Sequence, residues 1–257
     1  MITDLHCHST FSIDGSSSMR QMIEAGENIG LDIMAITDHA DFADGDSCVE
    51  PVSYQKALQK AGSSRIKVLK GVEIGLQYEH RERFAEFMKD ADFDFVIGSM
   101  HRACEKDFCN GEFYLNRTAE DCWQIYFIEA LKAVKSCSDF DTFGHLDIIT
   151  RYHLMQGHAF PENMNEYLDP LLKWLIDHEK GLEVNTSKFH LFARCHPQPR
   201  ILQRYRELGG DIITLGSDAH HCNDVGKNLQ AGLEAIRAAG FSRLAWFEKR
   251  KMRFADL

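Results

Sequence analysis

A chain of 257 residues, 44% hydrophobic and 26% charged, can bury a substantial core without cross-links and has the composition of an ordinary soluble globular protein, which excludes disorder. A formal net charge of −10 with a pI near 5.7 opposes nonspecific binding to nucleic acid or an acidic membrane, so no nucleic-acid partner and no membrane partner are expected. Small-molecule substrates remain open.

Apolar runs of strand length recur along the chain. They cover Ile2 to Leu5, Ile33 to Ile36, Ile66 to Ile74, Phe93 to Ile97, Phe140 to Phe143, Leu182 to Val184 and Ile212 to Leu215, with one more candidate at Leu244 to Phe247. Segments of helical period lie between them. Met19 to Gly30 and Arg81 to Ala91 are weak examples. Thr118 to Lys135 is the clearest, with Trp123, Tyr126, Phe127, Ala130, Leu131 and Val134 on one stripe and Thr118 placed to cap its start. Pro161 to His178 carries a broad apolar face, and weaker patterns follow at Pro199 to Leu208 and Leu229 to Ala239. This β-then-α alternation predicts a parallel sheet, and the absence of an obvious linker favours a single domain over 1–257 closed into a barrel, with an open doubly wound sheet as the alternative.

The polar residues behind these runs form a pattern. His6 and His8 follow the first run and, at i and i+2 of an extended segment, point the same way. His39 follows the second, Glu73 lies in the third, His101 follows the fourth, His145 the fifth, and Asp218 with His220 the seventh. Strand C-terminal ends are where a βα-barrel builds its chemistry. A lone histidine is more often a surface or core residue than a ligand, but folding gives no reason for a barrel mouth to carry imidazole at every turn. The set therefore predicts a metal site. Imidazole with carboxylate suits zinc, manganese or iron better than magnesium or calcium. The set is too large for one tetrahedral ion, so two or three are implied, with Glu73 able to offer one oxygen to each of a pair.

His6-Cys7-His8, Thr37-Asp38-His39, Gly71-Val72-Glu73-Ile74-Gly75, Gly98-Ser99-Met100-His101, Gly144-His145-Leu146-Asp147 and Gly216-Ser217-Asp218-Ala219-His220 together resemble the polymerase-and-histidinol-phosphatase (PHP) family. The resemblance implies a distorted (βα)7 TIM-like barrel and a centre of three divalent ions, zinc first, with manganese or iron as alternatives. Carried over position by position, it assigns His6, His8, Glu73 and Asp218 to one ion, Glu73, His101 and His145 to a second, and His39, His220 and Asp14 to a third. Several family members have histidine where Asp14 stands. A carboxylate can replace it, while an Asp-Gly turn is the other reading of Asp14-Gly15.

Within the family, the chain is most similar to the histidinol-phosphate phosphatase branch, through Asp14, Gly144 to Ile149 followed by Arg151-Tyr152, Leu182 to Ser187, and Arg194 ahead of His196-Pro197. That implies hydrolysis of L-histidinol phosphate to L-histidinol and inorganic phosphate, a step of histidine biosynthesis. A guanidinium takes two phosphate oxygens at once, which nominates Arg151 and Arg194 for the phosphoryl group. Asp218 or His220 would assist the leaving group, and Asp38 would orient a ligand from behind, as metal-bound histidines require. One departure stands out. Where the branch has a glycine and often a nearby arginine after Asn185-Thr186-Ser187, this chain has Lys188-Phe189-His190.

Other nucleophilic schemes lack their motifs, since the sequence contains no GxSxG elbow, no GxxxxGK[ST] loop and no GxGxxG fingerprint. The alternatives are a phosphoesterase acting on nucleotides or oligonucleotide ends and a non-catalytic metal-bound module, which the intact ligand set disfavours. The 8 cysteines include no CxxC, and the chain opens without a basic-then-apolar leader, so reduced thiols in a cytoplasmic protein are expected. Cys7 and Cys222 lie beside predicted ligands, where a packing thiol is the first reading and a metal-binding thiolate the second.

Overall fold

The computed structural model describes residues 1–257 except Asp44, Ser47, Ser64 and Asp90. Strands β1 (Thr3–Asp4), β2 (Ile33–Ile36), β3 (Lys67–Gly75), β4 (Phe95–Ser99), β5 (Thr142–Phe143), β6 (Gly181–Asn185) and β7 (Ile213–Gly216) pair in sequence order, every neighbour parallel. An open sheet would leave β1 and β7 as edges. Instead Leu5 N donates to Leu215 O (3.0 Å), Asp218 N to His6 O (2.8 Å) and His8 N to Ala219 O (2.8 Å). These bonds close the sheet into a distorted barrel, as expected from the sequence.

The crossover helices are α1 (Met19–Ile29), α2 (Pro51–Ala61), α3 (Arg81–Lys89), α4 (Ala119–Ser136), α5 (Asn165–Asp177), α6 (Pro199–Glu207) and α7 (Leu229–Ala238). Their ends follow from local chemistry. In α1, Ser18 and Gln21 form a reciprocal capping box, and Gly30, at φ 77, ends the helix in the left-handed conformation that glycine adopts without strain. Thr118 and Asp121 cap α4 the same way. Helix α2 carries no expectation from periodicity, because only Tyr54, Leu58 and Ala61 of its residues are buried. Its start is fixed by the Glu50 carboxylate, which accepts from Val52 N and Ser53 N, and by Pro51 in the first turn.

The strand expected at Leu244 to Phe247 forms but does not join the barrel. As β8 (Arg243–Glu248) it pairs antiparallel with β9 (Lys251–Asp256). Its residues Ala245 and Phe247 pack with Leu5, Ile33, Ala35, Leu69, Phe95 and Ile97 in a small core separate from the one under the helices. Phe247 stacks on Phe95 with ring centroids 5.3 Å apart. This hairpin is the floor of the barrel, and the histidines stand at the other end of the same strands.

Candidate metal centre

Register brings the predicted ligands together. Cys7 forms a parallel bridge with Ala219, so His6 and His8 on one segment flank it opposite Asp218 and His220 on the other. Behind β2, His39–Ala40 pairs in parallel with Glu73 and Ile74 and sets His39 directly across from Glu73. Asp218 lies in the left-handed region (φ 55), which a short polar side chain tolerates better than most.

Glu73, buried in the middle, lies within 3.5 Å of His6, His8, His39, His101 and His145. Its Oε2 is 3.3 Å from His6 Nε2 and 3.5 Å from His8 Nε2, while Asp218 Oδ1 is 3.7 and 3.4 Å from the same two nitrogens. A tetrahedral ion with bonds of roughly 2.1 Å needs ligand atoms about 3.4 Å apart, and these edges match that spacing. Glu73 Oε1 is 2.8 Å from His145 Nε2 and 3.3 Å from His101 Nε2. At the rim, Asp14 Oδ1 is 3.6 Å from His39 Nε2 and Asp14 Oδ2 is 3.0 Å from His220 Nε2. His6 Nε2, His8 Nε2 and Glu73 Oε2 are buried and have no hydrogen-bond partner. Orphaned buried polar atoms are costly unless something satisfies them, and a cation bound among these atoms would do so. The donor set and its spacing fit divalent metal ions.

The electrostatics agree. Burial opposes charge on Glu73 and Asp218, yet the His6, His101 and His39 rings hold Glu73 well below the usual carboxylate range, and His6 and Arg151 do the same for Asp218. Burial lowers His6, but Glu183, Glu73 and Asp218 outweigh it and raise it well above the ordinary imidazole value. His8 goes the other way, pushed down by burial and by the neighbouring His220 and His39 rings.

Carboxylates behind the ligands fix the rings. His6 Nδ1 donates to Glu183 Oε1 (2.6 Å), and the other oxygen of Glu183 accepts from His145 N (2.8 Å). His101 Nδ1 donates to Asp41 Oδ1 (2.9 Å). Asp38 stands behind the ligands through Ser12, whose Oγ meets the His8 ring and also accepts from His39 N (3.0 Å). The Asp38 carboxylate accepts from Ser9 N, Ser9 Oγ and Ser12 Oγ at 2.6 to 2.7 Å, and Ser12 Oγ accepts in turn from His8 Nδ1 (3.1 Å). Such contacts set tautomer, orientation and ligand basicity.

Sequence reasoning assigned no role to Glu183 or Asp41. Glu183 lies inside the segment Leu182 to Ser187 that carries the resemblance, and a polar residue in a strand of a closed barrel is the available signal. Asp41 lies two residues past His39, and only the missing side chain of Gly75, where a Cβ would stand 1.9 Å from Asp41 Oδ1, admits it to the site.

The cluster opens into a cleft of about 560 Å³, lined also by Arg151, Tyr152, Ser187 and Lys188. Arg151 is buried; its Nη1 donates to Asp218 Oδ2 (2.9 Å) and its Nη2 to Asn185 Oδ1 (2.8 Å). The second expected arginine is not in the cleft lining. Arg194 Nη2 donates to His158 O (2.9 Å) and its guanidinium lies over the Phe192 ring, a backbone carbonyl being the acceptor within its reach. Cys7 is buried with its thiol pushed up, first by burial, and among the described residues neither Cys7 nor Cys222 joins a ligand group.

Residues 4–187 match the PHP domain family. A probable histidinol-phosphatase of Clostridium acetobutylicum is 31% identical, covering 99% of this chain and 100% of that one. The histidinol-phosphatase of Lactococcus lactis is 32% identical over 97% of this chain and 95% of its own. A crystal structure of histidinol phosphate phosphatase from Lactococcus lactis with zinc, L-histidinol and phosphate superposes with a TM-score of 0.88 at 30% identity, covering 98% of both chains.

Proposed function

The chain belongs to the PHP domain family, and from that premise we propose that it is a metal-dependent phosphomonoesterase hydrolysing L-histidinol phosphate to L-histidinol and inorganic phosphate, a step of histidine biosynthesis. The observation that carries the reading is the four-sided cage of His6, His8, Glu73 and Asp218 with edges of 3.3 to 3.7 Å, opening on the same cleft as the Arg151 guanidinium. The zinc, L-histidinol and phosphate held by the superposed Lactococcus lactis enzyme support the same substrate and the same metal here.

We assign three ions, zinc first. His6, His8, Glu73 and Asp218 would hold one, Glu73, His101 and His145 a second, and His39, His220 and Asp14 a third. Such ions supply a hydroxide nucleophile near neutral pH and positive charge for the phosphoryl oxygens. The chain's own residues do the rest. Glu73 turns its two oxygens to different histidines and so serves two positions at once. Arg151, buried and pinned by Asp218 and Asn185, meets a phosphoryl group with a preset guanidinium, which is the electrostatic stabilisation that phosphoryl transfer requires. Asp218 is a fixed ligand rather than a proton carrier, because Oδ2 already accepts from Arg151 and Asn185 while Oδ1 faces the histidines. The rim pair His220 and Asp14 is the part of the cluster most open to the leaving group. All eight thiols are free, which fits the reducing cytoplasm.

The test is a phosphate-release screen over phosphorylated metabolites, with metal analysis of the same sample. Turnover of L-histidinol phosphate well above other monoesters is expected. Preference for nucleoside phosphates would reassign the substrate, and no release from any monoester by the metal-loaded protein would end the reading.

A further inference from the structure

The cleft is lined by carboxylates: Asp14, Asp41, Asp46, Glu73, Asp107 and Asp218. Its cations are Arg102, Arg151 and Lys188. Arg102 is committed to Asp46 (2.5 Å) and Asp107 (3.6 Å), and Arg151 to Asp218. Among the described residues, Lys188 is the cleft cation that has no carboxylate within ion-pair distance. A cleft lysine, itself half-buried, whose ammonium has no carboxylate partner among so many acids suits an anion that arrives with the ligand.

Its place in the chain points to the same anion that Arg151 serves. Asn185 Oδ1 accepts from Arg151 Nη2 (2.8 Å), from Ser187 N (3.2 Å) and from Ser187 Oγ (2.9 Å). One carboxamide oxygen therefore ties the guanidinium to the turn that carries Lys188. Asn185 is itself locked, with its backbone exchanging hydrogen bonds with His196 (2.6 and 2.9 Å), whose ring is fixed on buried Asp147 (2.6 Å). Arg194, the alternative partner for Arg151, is engaged with the His158 carbonyl outside the cleft lining.

We infer that Lys188 is the second cationic contact to the phosphoryl group in this chain, completing with Arg151 the clamp on the oxygens turned away from the metal cluster. An ammonium is a point charge on a flexible stem, so Lys188 contributes charge while Arg151 contributes direction. This rests on the phosphomonoesterase reading and makes it specific to this chain's own loop.

The experiment titrates inorganic phosphate calorimetrically into the zinc-loaded protein, with metal content measured on each sample. Lys188→Met should weaken phosphate by about tenfold or more, the loss of one charge-assisted contact, with metal content unchanged. Lys188→Arg should restore binding to within about threefold of the parent, and the parent's affinity should fall with added salt more steeply than that of Lys188→Met. Equal phosphate affinity in the parent and Lys188→Met overturns the inference, as does a loss confined to Arg194→Ala. Failure of the metal-loaded parent to bind phosphate at all would instead strike the phosphomonoesterase reading beneath it.

Discussion

His6 Nδ1 stands 2.6 Å from Glu183 Oε1 although the two residues are 177 positions apart in the chain. Both are buried, and the contact leaves His6 Nε2 directed at Glu73 and Asp218. Glu183 thus decides which nitrogen of His6 is available to a cation, and its second oxygen steadies the backbone of His145.

Replacing Glu183 by Gln keeps the shape and removes the charge. Metal affinity, measured by competition with a chromophoric chelator, should fall by about 10- to 100-fold, and turnover should return at high added metal. Unchanged affinity would show that His6 is oriented without it.

Glu73→Gln should act more severely, because both oxygens are in use. Elemental analysis is expected to find metal lost from the positions Glu73 shares, and kcat/KM should drop by at least about a thousandfold, or ~4 kcal/mol of transition-state stabilisation. Arg151→Lys provides the contrast. Metal content should persist while kcat/KM falls, since an ammonium cannot bond Asp218, Asn185 and a phosphoryl oxygen with one planar fork.

Removal of metal should abolish phosphate release and lower thermal stability together. An ion present at 100 times its dissociation constant stabilises a native site by about 2.7 kcal/mol, and stripping it leaves the buried Glu73 and Asp218 carboxylates around His6 Nε2 without the cation's charge. Restoring zinc, manganese and ferrous iron one at a time, with activity and melting temperature read in parallel, ranks the metals.

Gly216 tests how closely the closing strands must approach. A Cβ there would stand 2.4 Å from His6 Cβ and 2.8 Å from Glu183 Oε1. Gly216→Ala should therefore displace the His6–Glu183 pair and weaken metal binding, with a circular-dichroism spectrum like that of the parent. Parent-like metal affinity would mean that the strand gives way instead.

Phe247→Ala addresses the floor. Losing the ring stacked on Phe95 should cost about 3–5 kcal/mol of stability, measured by denaturant unfolding, while kcat below the transition stays close to that of the parent. A kcat that falls in step with stability would couple the floor to the cluster.

The sequence by itself determined the alternation of strands and helices and the ligand types, because both are local: apolar runs of strand length, helical stripes, and imidazole or carboxylate placed just behind each run. It also nominated Glu73 as a shared group, since a carboxylate has two oxygens. Only the tertiary structure decided which distant groups meet. That β8 seals the floor instead of joining the barrel depends on its antiparallel partner β9. That Asp38 serves His8 through Ser12, that Glu183 and Asp41 stand behind His6 and His101, and that Lys188 lines the cleft while Arg194 does not, depend on register across strands far apart in sequence. Periodicity carries no record of which side chain faces which across a closed sheet, and in a buried site a difference of a few ångströms separates a ligand from a support.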